Sequence, residues 1–363
     1  MTAEDRPDPS VEIRMTTLHA TRGANFWSTR PVMRMDLVVG AYEDISSADV
    51  PGVTEALVSA MPGLEEHRCS IGERGGFITR LRNGTYAPHI VEHIALELQT
   101  MIGHDVGYGR TRGGDAEGEY TLVFEHLHEG VGLRAAALAL ETVQQAFAGT
   151  LTNVDHAVAE LSALASTPDV PRLIQHVLCG ITGGSDRAST RDELVRRGFG
   201  SEELIVDVSP VFLLQAGLPY SHSSIAIVMD TNLTDVPERY REEERAQRLM
   251  ATVADAVDRG GVVIVPAKEW EVQDKVREAG CRVAIFAPDD SVTRRDRKVA
   301  RAVSMVVEGR IILESRGKKE DLGPLRDDAP ATSQVAGALA AYTLHELQPP
   351  VADEATSQPK VRQ

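Results

Sequence analysis

The feature that most constrains this chain is a rhythm in its C-terminal half. Ile225–Met229, Val262–Val265, Val283–Phe286 and Met305–Val307 are short apolar runs rich in β-branched residues. Amphipathic stretches at Glu242–Asp258, Glu271–Glu278 and Thr332–Leu347 alternate with them. Strands this apolar need cover on both faces, and helices spaced between them provide it. Residues 171–347 therefore read as an α/β domain with a mostly parallel sheet.

A looser alternation fills residues 11–151. Met33–Val39 and Tyr120–Phe124 read as strands, and Val53–Met61, Ala87–Ile102 and Gly132–Phe147 as amphipathic helices. This block reads as an α+β domain. Residues 152–170 are Ala- and Ser-rich and read as a helix or linker. Residues 1–10 and 348–363 are rich in Pro and acids and read as disordered.

Charge narrows the function. The chain has 363 residues, with 38 Lys+Arg against 54 Asp+Glu, for a net charge of −16. Phosphate affinity rests on basic residues, so this balance argues against a nucleic-acid or anionic-membrane partner and favours a cationic one. No lysine occurs before Lys268. Cys69, Cys179 and Cys281 are too few and too far apart for a disulfide framework or a CxxC ribbon. The polar N-terminus lacks a secretory pattern, and no apolar run approaches the ~18–20 residues of a membrane span. A cytoplasmic protein is expected.

Thr85–Gln99 carries the chemistry. Pro88 suits the first turn of a helix, and Gly103 can end it. His89 and His93, four residues apart, lie on one face with Glu92 beside them. Ile90, Val91, Ile94, Leu98 and Met101 form the opposite, apolar stripe. This is the H-x-x-E-H order of inverted zincins. Two imidazoles supply metal donors, and a neighbouring carboxylate can activate water. The competing reading is the wet face of an amphipathic helix. A third ligand is open among His67, Cys69, Glu97 and Glu125.

The block resembles the N-terminal domain of the cyanophycin synthetase family. The resemblance rests on Thr21–Arg30 (TRGANFWSTR), Met33–Leu37, Glu66–Ser70 with Gly75–Phe77, the His89–Gln99 helix, Val106–Arg112 and Val123–Glu125. These motifs follow in the family's order. In some members this domain carries a metal-dependent site that cuts the polymer, a poly-aspartate bearing arginine branches. The resemblance implies Cys69, His89 and His93 as ligands of a divalent metal of zinc type, with Glu92 as general base. It places Arg110 and Arg112 at the substrate, since a guanidinium fork suits a carboxylate.

Residues 171–347 resemble, more weakly, the Mur-ligase-type half of the same synthetases. Phe212–Tyr220, Ile225–Asn232, Gly261–Pro266 and Val307–Arg310 follow the family's order. The P-loop departs from it. Ile181-Thr182-Gly183-Gly184-Ser185-Asp186-Arg187 has Asp186 at the second glycine and Arg187 at the lysine. An aspartate there repels a triphosphate, and a non-glycine residue hinders close backbone approach. ATP is not expected as a cofactor, and only about 20 residues stand where the family places its ATP-grasp domain. The expected function is a metal-dependent hydrolase of cyanophycin or a related arginine-rich isopeptide polymer. The alternatives are a non-catalytic polymer-binding adaptor and a residual ATP-dependent amide ligase. Homo-oligomerisation is left open.

Overall fold

The computed structural model describes residues 6–28, 30–69, 72–170, 175–199 and 204–347. The tail expected to be disordered, 348–363, lies outside them, as does the start of the block expected from residue 171. The chain divides into two compact units, each built from several segments.

The first unit comprises Met1–Gln175, Val208–Ser221 and Leu233–Ala256. Its sheet has four antiparallel strands, β1 (Arg14–Ala20), β2 (Val32–Val38), β3 (Gly109–Gly113) and β4 (Glu119–Glu125), in the order β1-β2-β4-β3. Period-two alternation sends Met33, Met35, Leu37, Leu122 and Phe124 into the core. The helices Ala87–Met101 and Glu129–Ala148 pack on that side and on each other. Each fully buried Leu, Met or Phe contributes about 1.5–3 kcal/mol, so this face holds the domain together. Gly103, at φ +85°, ends the Ala87–Met101 helix in the left-handed region that glycine enters without cost.

The opposite sheet face is polar. Arg34 donates to Asp36 at 2.9 Å, Thr121 donates to the same carboxylate at 2.5 Å, and Arg239 donates to Thr121 Oγ1 at 2.9 Å. Arg239 belongs to one of two later segments that join this unit. Their anchor is the Thr21–Arg30 loop. Leu218 N donates to Ala24 O at 2.8 Å, and Trp27 Nε1 to Leu214 O at 3.3 Å. Phe26, Trp27 and Tyr240 meet edge to face, with ring centroids 5.0–5.9 Å apart. The sequence suggested one boundary near residue 171, whereas contacts divide the chain with residues 208–221 and 233–256 on the other side of it.

Three local expectations are corrected. The N-terminus expected to be disordered over 1–10 is packed from Arg6, which donates to Phe147 O at 2.8 Å, and Asp8 caps the Pro9–Glu12 helix. Met101 leaves the apolar stripe and is 38% exposed, because it lies in the last turn. The helix expected over Glu242–Asp258 stops at Ala251 and tightens into a 3₁₀ turn, Thr252–Ala256. Val257 already pairs with Ser223 as strand, where β-branched residues pack well. The Asp155–Ala165 helix, expected as helix or linker, buries Leu161 in the first core and ties Glu160 to Arg134 at 2.6 Å.

The second unit comprises His176–Asp207, His222–Asn232 and Val257–Gln363. Its eight-stranded sheet contains β5 (His176–Thr182), β6 (Ile205–Val208), β7 (His222–Val228), β8 (Val257–Pro266), β9 (Arg282–Ala287), β10 (Ala302–Val307), β11 (Arg310–Ser315) and β12 (Lys318–Pro324). The order is β12-β11-β10-β9-β8-β7-β5-β6. Strands β5, β7, β8, β9 and β10 run parallel, and β10-β11-β12 form an antiparallel meander at the edge. The mostly parallel α/β sheet is as expected. The Ala331–Leu347 helix packs on its centre and against the Arg187–Arg196 helix. The charge run Arg294–Lys298 hides Asp296 completely, where it forms a capping box with Thr293.

Candidate metal centre

The H-x-x-E-H helix does not face water. Glu92, His93 and Glu97 are only 5%, 6% and 3% exposed, which overturns the wet-face reading. They line a cavity of about 910 Å³ together with Cys69, His89, Arg110 and Thr111. Carboxylates and imidazoles buried here need partners, since an unpaired buried polar group costs several kcal/mol.

The structure brings three of the implied ligands together. Donor atoms of Cys69, His89 and His93 all lie within 4.8 Å of one another. Cys69 arrives from the turn after the 3₁₀ helix Pro62–Glu66, with φ +54°, an uncommon conformation for a non-glycine residue. Its Sγ is 3.4 Å from His89 Nε2, and His89 Nδ1 meets Thr85 Oγ1 at 2.8 Å. Thr85 thus orients the ring so that Nε2 points at the sulfur. Phe77 stacks on the His93 ring, with centroids 3.9 Å apart.

Electrostatics follow from burial. Burial, helped by Arg80, pushes His89 down to about 4. Burial and then the neighbouring His89 and His67 push His93 down to about 2. Both imidazoles are thereby neutral, the form that donates to a metal. Burial raises Glu92 to about 7 against the opposing pull of Thr111 and Arg110. A carboxyl poised near neutrality suits proton transfer.

The remaining candidates fall elsewhere. His67 and Glu97 line the cavity but are bonded to each other at 2.9 Å and stand outside the three-ligand group. Glu125 accepts from Gly107 N and Tyr108 N at 3.3 and 3.2 Å and does not line the cavity. Arg110 lines it, whereas Arg112 does not. Thr111 makes a bond that escaped the sequence reading. Its Oγ1 donates to Glu92 Oε2 at 2.5 Å, and Gly109 leaves room beside the same carboxylate, since a Cβ there would lie 2.5 Å from Oε1.

The stretch that carries this cavity matches a known family. A family model described as "Cyanophycin synthase-like N-terminal domain" matches residues 32–148. Residues 32–148 are a cyanophycin synthase-like N-terminal domain. Cys69, His89, Glu92 and His93 all lie within it. Cyanophycin synthetase from Trichormus variabilis is 35% identical over 257 residues, covering 69% of this chain and 27% of that protein. That match is longer than the cyanophycin synthase-like domain alone. Cyanophycin synthetase from Synechocystis sp. is 46% identical over 126 residues, 33% of this chain and 14% of that protein. The chain therefore spans about a quarter of the length of the first of these relatives. Among solved structures, a pseudomurein peptide ligase type C from Methanothermus fervidus aligns with TM-score 0.35 and 11% identity, covering 54% of this chain and 53% of that one. MurF from Acinetobacter baumannii aligns with TM-score 0.33 and 11% identity, covering 47% and 43%.

In the second unit, the loop at residues 183–187 is bonded by the chain itself. Asp230, just past β7, accepts from Gly184 N at 2.7 Å, Ser185 N at 3.0 Å and Ser185 Oγ at 2.6 Å. Arg187 donates to the Gly183 carbonyl. The Gly184 and Ser185 amides are thus engaged by a carboxylate. Among the described residues no helix is long and apolar enough to cross a membrane.

Proposed function

We propose that the cyanophycin synthase-like domain is a metal-dependent hydrolase acting on cyanophycin or a related arginine-rich isopeptide polymer. The observation that carries this reading is the convergence of Cys69, His89 and His93 beside the buried Glu92 in one cavity. One thiolate sulfur and two neutral imidazoles fit a zinc-type ion with an open position. Bound there, such an ion supplies Lewis acidity toward an amide carbonyl and toward water.

The chain's own residues do the rest. Glu92 takes a proton from water as the water oxygen bonds to the carbonyl carbon. It returns that proton to the amide nitrogen as the C–N bond breaks. Thr111 and the gap at Gly109 hold the carboxylate in place. Arg68, Arg80 and Arg110 with Glu66 line the cavity, offering partners for both carboxylates and guanidinium groups.

The names of the relatives favour a ligase instead. That reading requires a nucleotide at residues 183–187, where the Asp230 carboxylate holds the Gly184 and Ser185 amides. The deciding experiment is a cleavage assay on cyanophycin with zinc-loaded protein and Glu92→Gln. Cleavage by the wild type with a loss of at least about 100-fold in the variant supports the hydrolase. Equal cleavage by both, or none by the loaded wild type, overturns it.

A further inference from the structure

The residues around His93 form a hydrogen-bonded line that ends on an acid. His93 Nδ1 lies 2.8 Å from His67 Nδ1, and His67 Nε2 lies 2.9 Å from Glu97 Oε2. All three side chains are buried or nearly so, with His67 at 14% and Glu97 at 4% side-chain exposure. Each link needs one donor and one acceptor, so the acid at the end decides the direction of the whole line.

A carboxylate only accepts. Glu97 therefore takes the proton on His67 Nε2, which in a neutral imidazole leaves His67 Nδ1 as a lone pair. That lone pair must accept from His93 Nδ1–H. The remaining nitrogen of His93, Nε2, is then a lone pair. The reverse direction would put a proton on Nε2 and remove His93 from any donor set. Direction, rather than mere contact, is the content of the arrangement.

We propose that Glu97, acting through His67, is a positioning residue that locks His93 with Nδ1 protonated and Nε2 presented as a metal-donor lone pair. This rests on the metal reading above and adds to it a role for two residues that are not ligands. Hydrogen-bonding partners that orient a ligating histidine typically change metal affinity by about 10–100-fold when lost. Gly63 completes the device. A Cβ at Gly63 would lie 2.0 Å from Glu97 Oε1, so the absence of a side chain there seats the carboxylate.

The test uses the full chain, metal-free and labelled with ¹⁵N-histidine. Long-range ¹H–¹⁵N correlation spectra at neutral pH assign both tautomers. His93 with Nδ1–H and His67 with Nε2–H are expected in the wild type. Glu97→Gln keeps the volume but can donate as well as accept, so the single His93 tautomer should give way to a mixture. Its zinc affinity, measured against a competing chelator, should fall about 10–100-fold. Gly63→Ala displaces the carboxylate with every hydrogen-bonding group retained, and should weaken zinc in the same direction with little change in the metal-free melting temperature. Wild-type His93 carrying its proton on Nε2 overturns the proposal. So does Glu97→Gln with unchanged tautomer and zinc affinity but a lower melting temperature, since Glu97 is then only structural. The expected tautomers in a wild type that binds no zinc support the lock and overturn the metal reading instead.

Discussion

Thr111 Oγ1 donates to Glu92 Oε2 at 2.5 Å, tying an edge strand to the acid of the H-x-x-E-H helix. The bond holds a buried carboxylate in one orientation and opposes the rise in its pKa. Thr111→Val removes the donor and keeps the shape. Hydrogen bonds to charged groups are worth about 1.5–3 kcal/mol, so polymer cleavage at pH 7 should fall about 10–100-fold. The acidic limb of its pH profile should move upward. Steady-state kinetics across pH 5–9 check this.

Glu92 also makes a prediction about stability without metal. Its folded value of about 7 lies above the ordinary 4.5, so the folded chain favours the protonated acid. That contribution is fully present below pH 4.5 and is lost as pH rises through 7. Glu92→Gln cannot ionise. It should raise the unfolding free energy of the metal-free protein at pH 8 by up to about 3 kcal/mol and change it little at pH 4. Denaturant titrations at the two pH values read this difference.

Much of the first unit was legible in the sequence because its signals are local. The i, i+4 spacing of His89 and His93, Pro88 and Gly103 fixed the helix and its chemical face. Apart from the family resemblance, the third ligand was open because Cys69 reaches the site through a turn about 20 residues upstream, which no periodicity reports. Thr111 lies within the Val106–Arg112 stretch, but its bond to Glu92 was not legible, since a strand-to-helix contact leaves no spacing signal. The membership of residues 208–221 and 233–256 in the first unit depends on Trp27 meeting Leu214 and Tyr240, contacts between residues far apart in the chain. The parallel sheet was legible from apolar runs alone, whereas the polar edge strand β12 was not.

In the second unit, Glu193 is a buried acid with three guanidinium partners, Arg196, Arg197 and Arg326. Burial works to raise its pKa, but hydrogen bonds from these arginines hold it down to about 2. Its stabilising contribution is present above pH 4.5 and is lost as pH falls through 2. Glu193→Gln should destabilise the unit by about 2–4 kcal/mol at pH 7 and by much less near pH 2. Thermal unfolding across this range checks the sign.

Asp230 predicts the nucleotide behaviour of the loop at residues 183–187. With the Gly184 and Ser185 amides bonded to its carboxylate, calorimetric titration with ATP and magnesium should show no binding heat. Micromolar binding would restore the ligase reading.

The claim on which the account turns is that one sulfur and two nitrogens of this chain hold a metal. X-ray absorption at the zinc edge of the zinc-loaded protein measures that donor set directly. The account predicts one sulfur scatterer at about 2.3 Å and two imidazole nitrogens at about 2.0 Å, with the sulfur lost in Cys69→Ser. A zinc shell without sulfur, or one unchanged by Cys69→Ser, would contradict it.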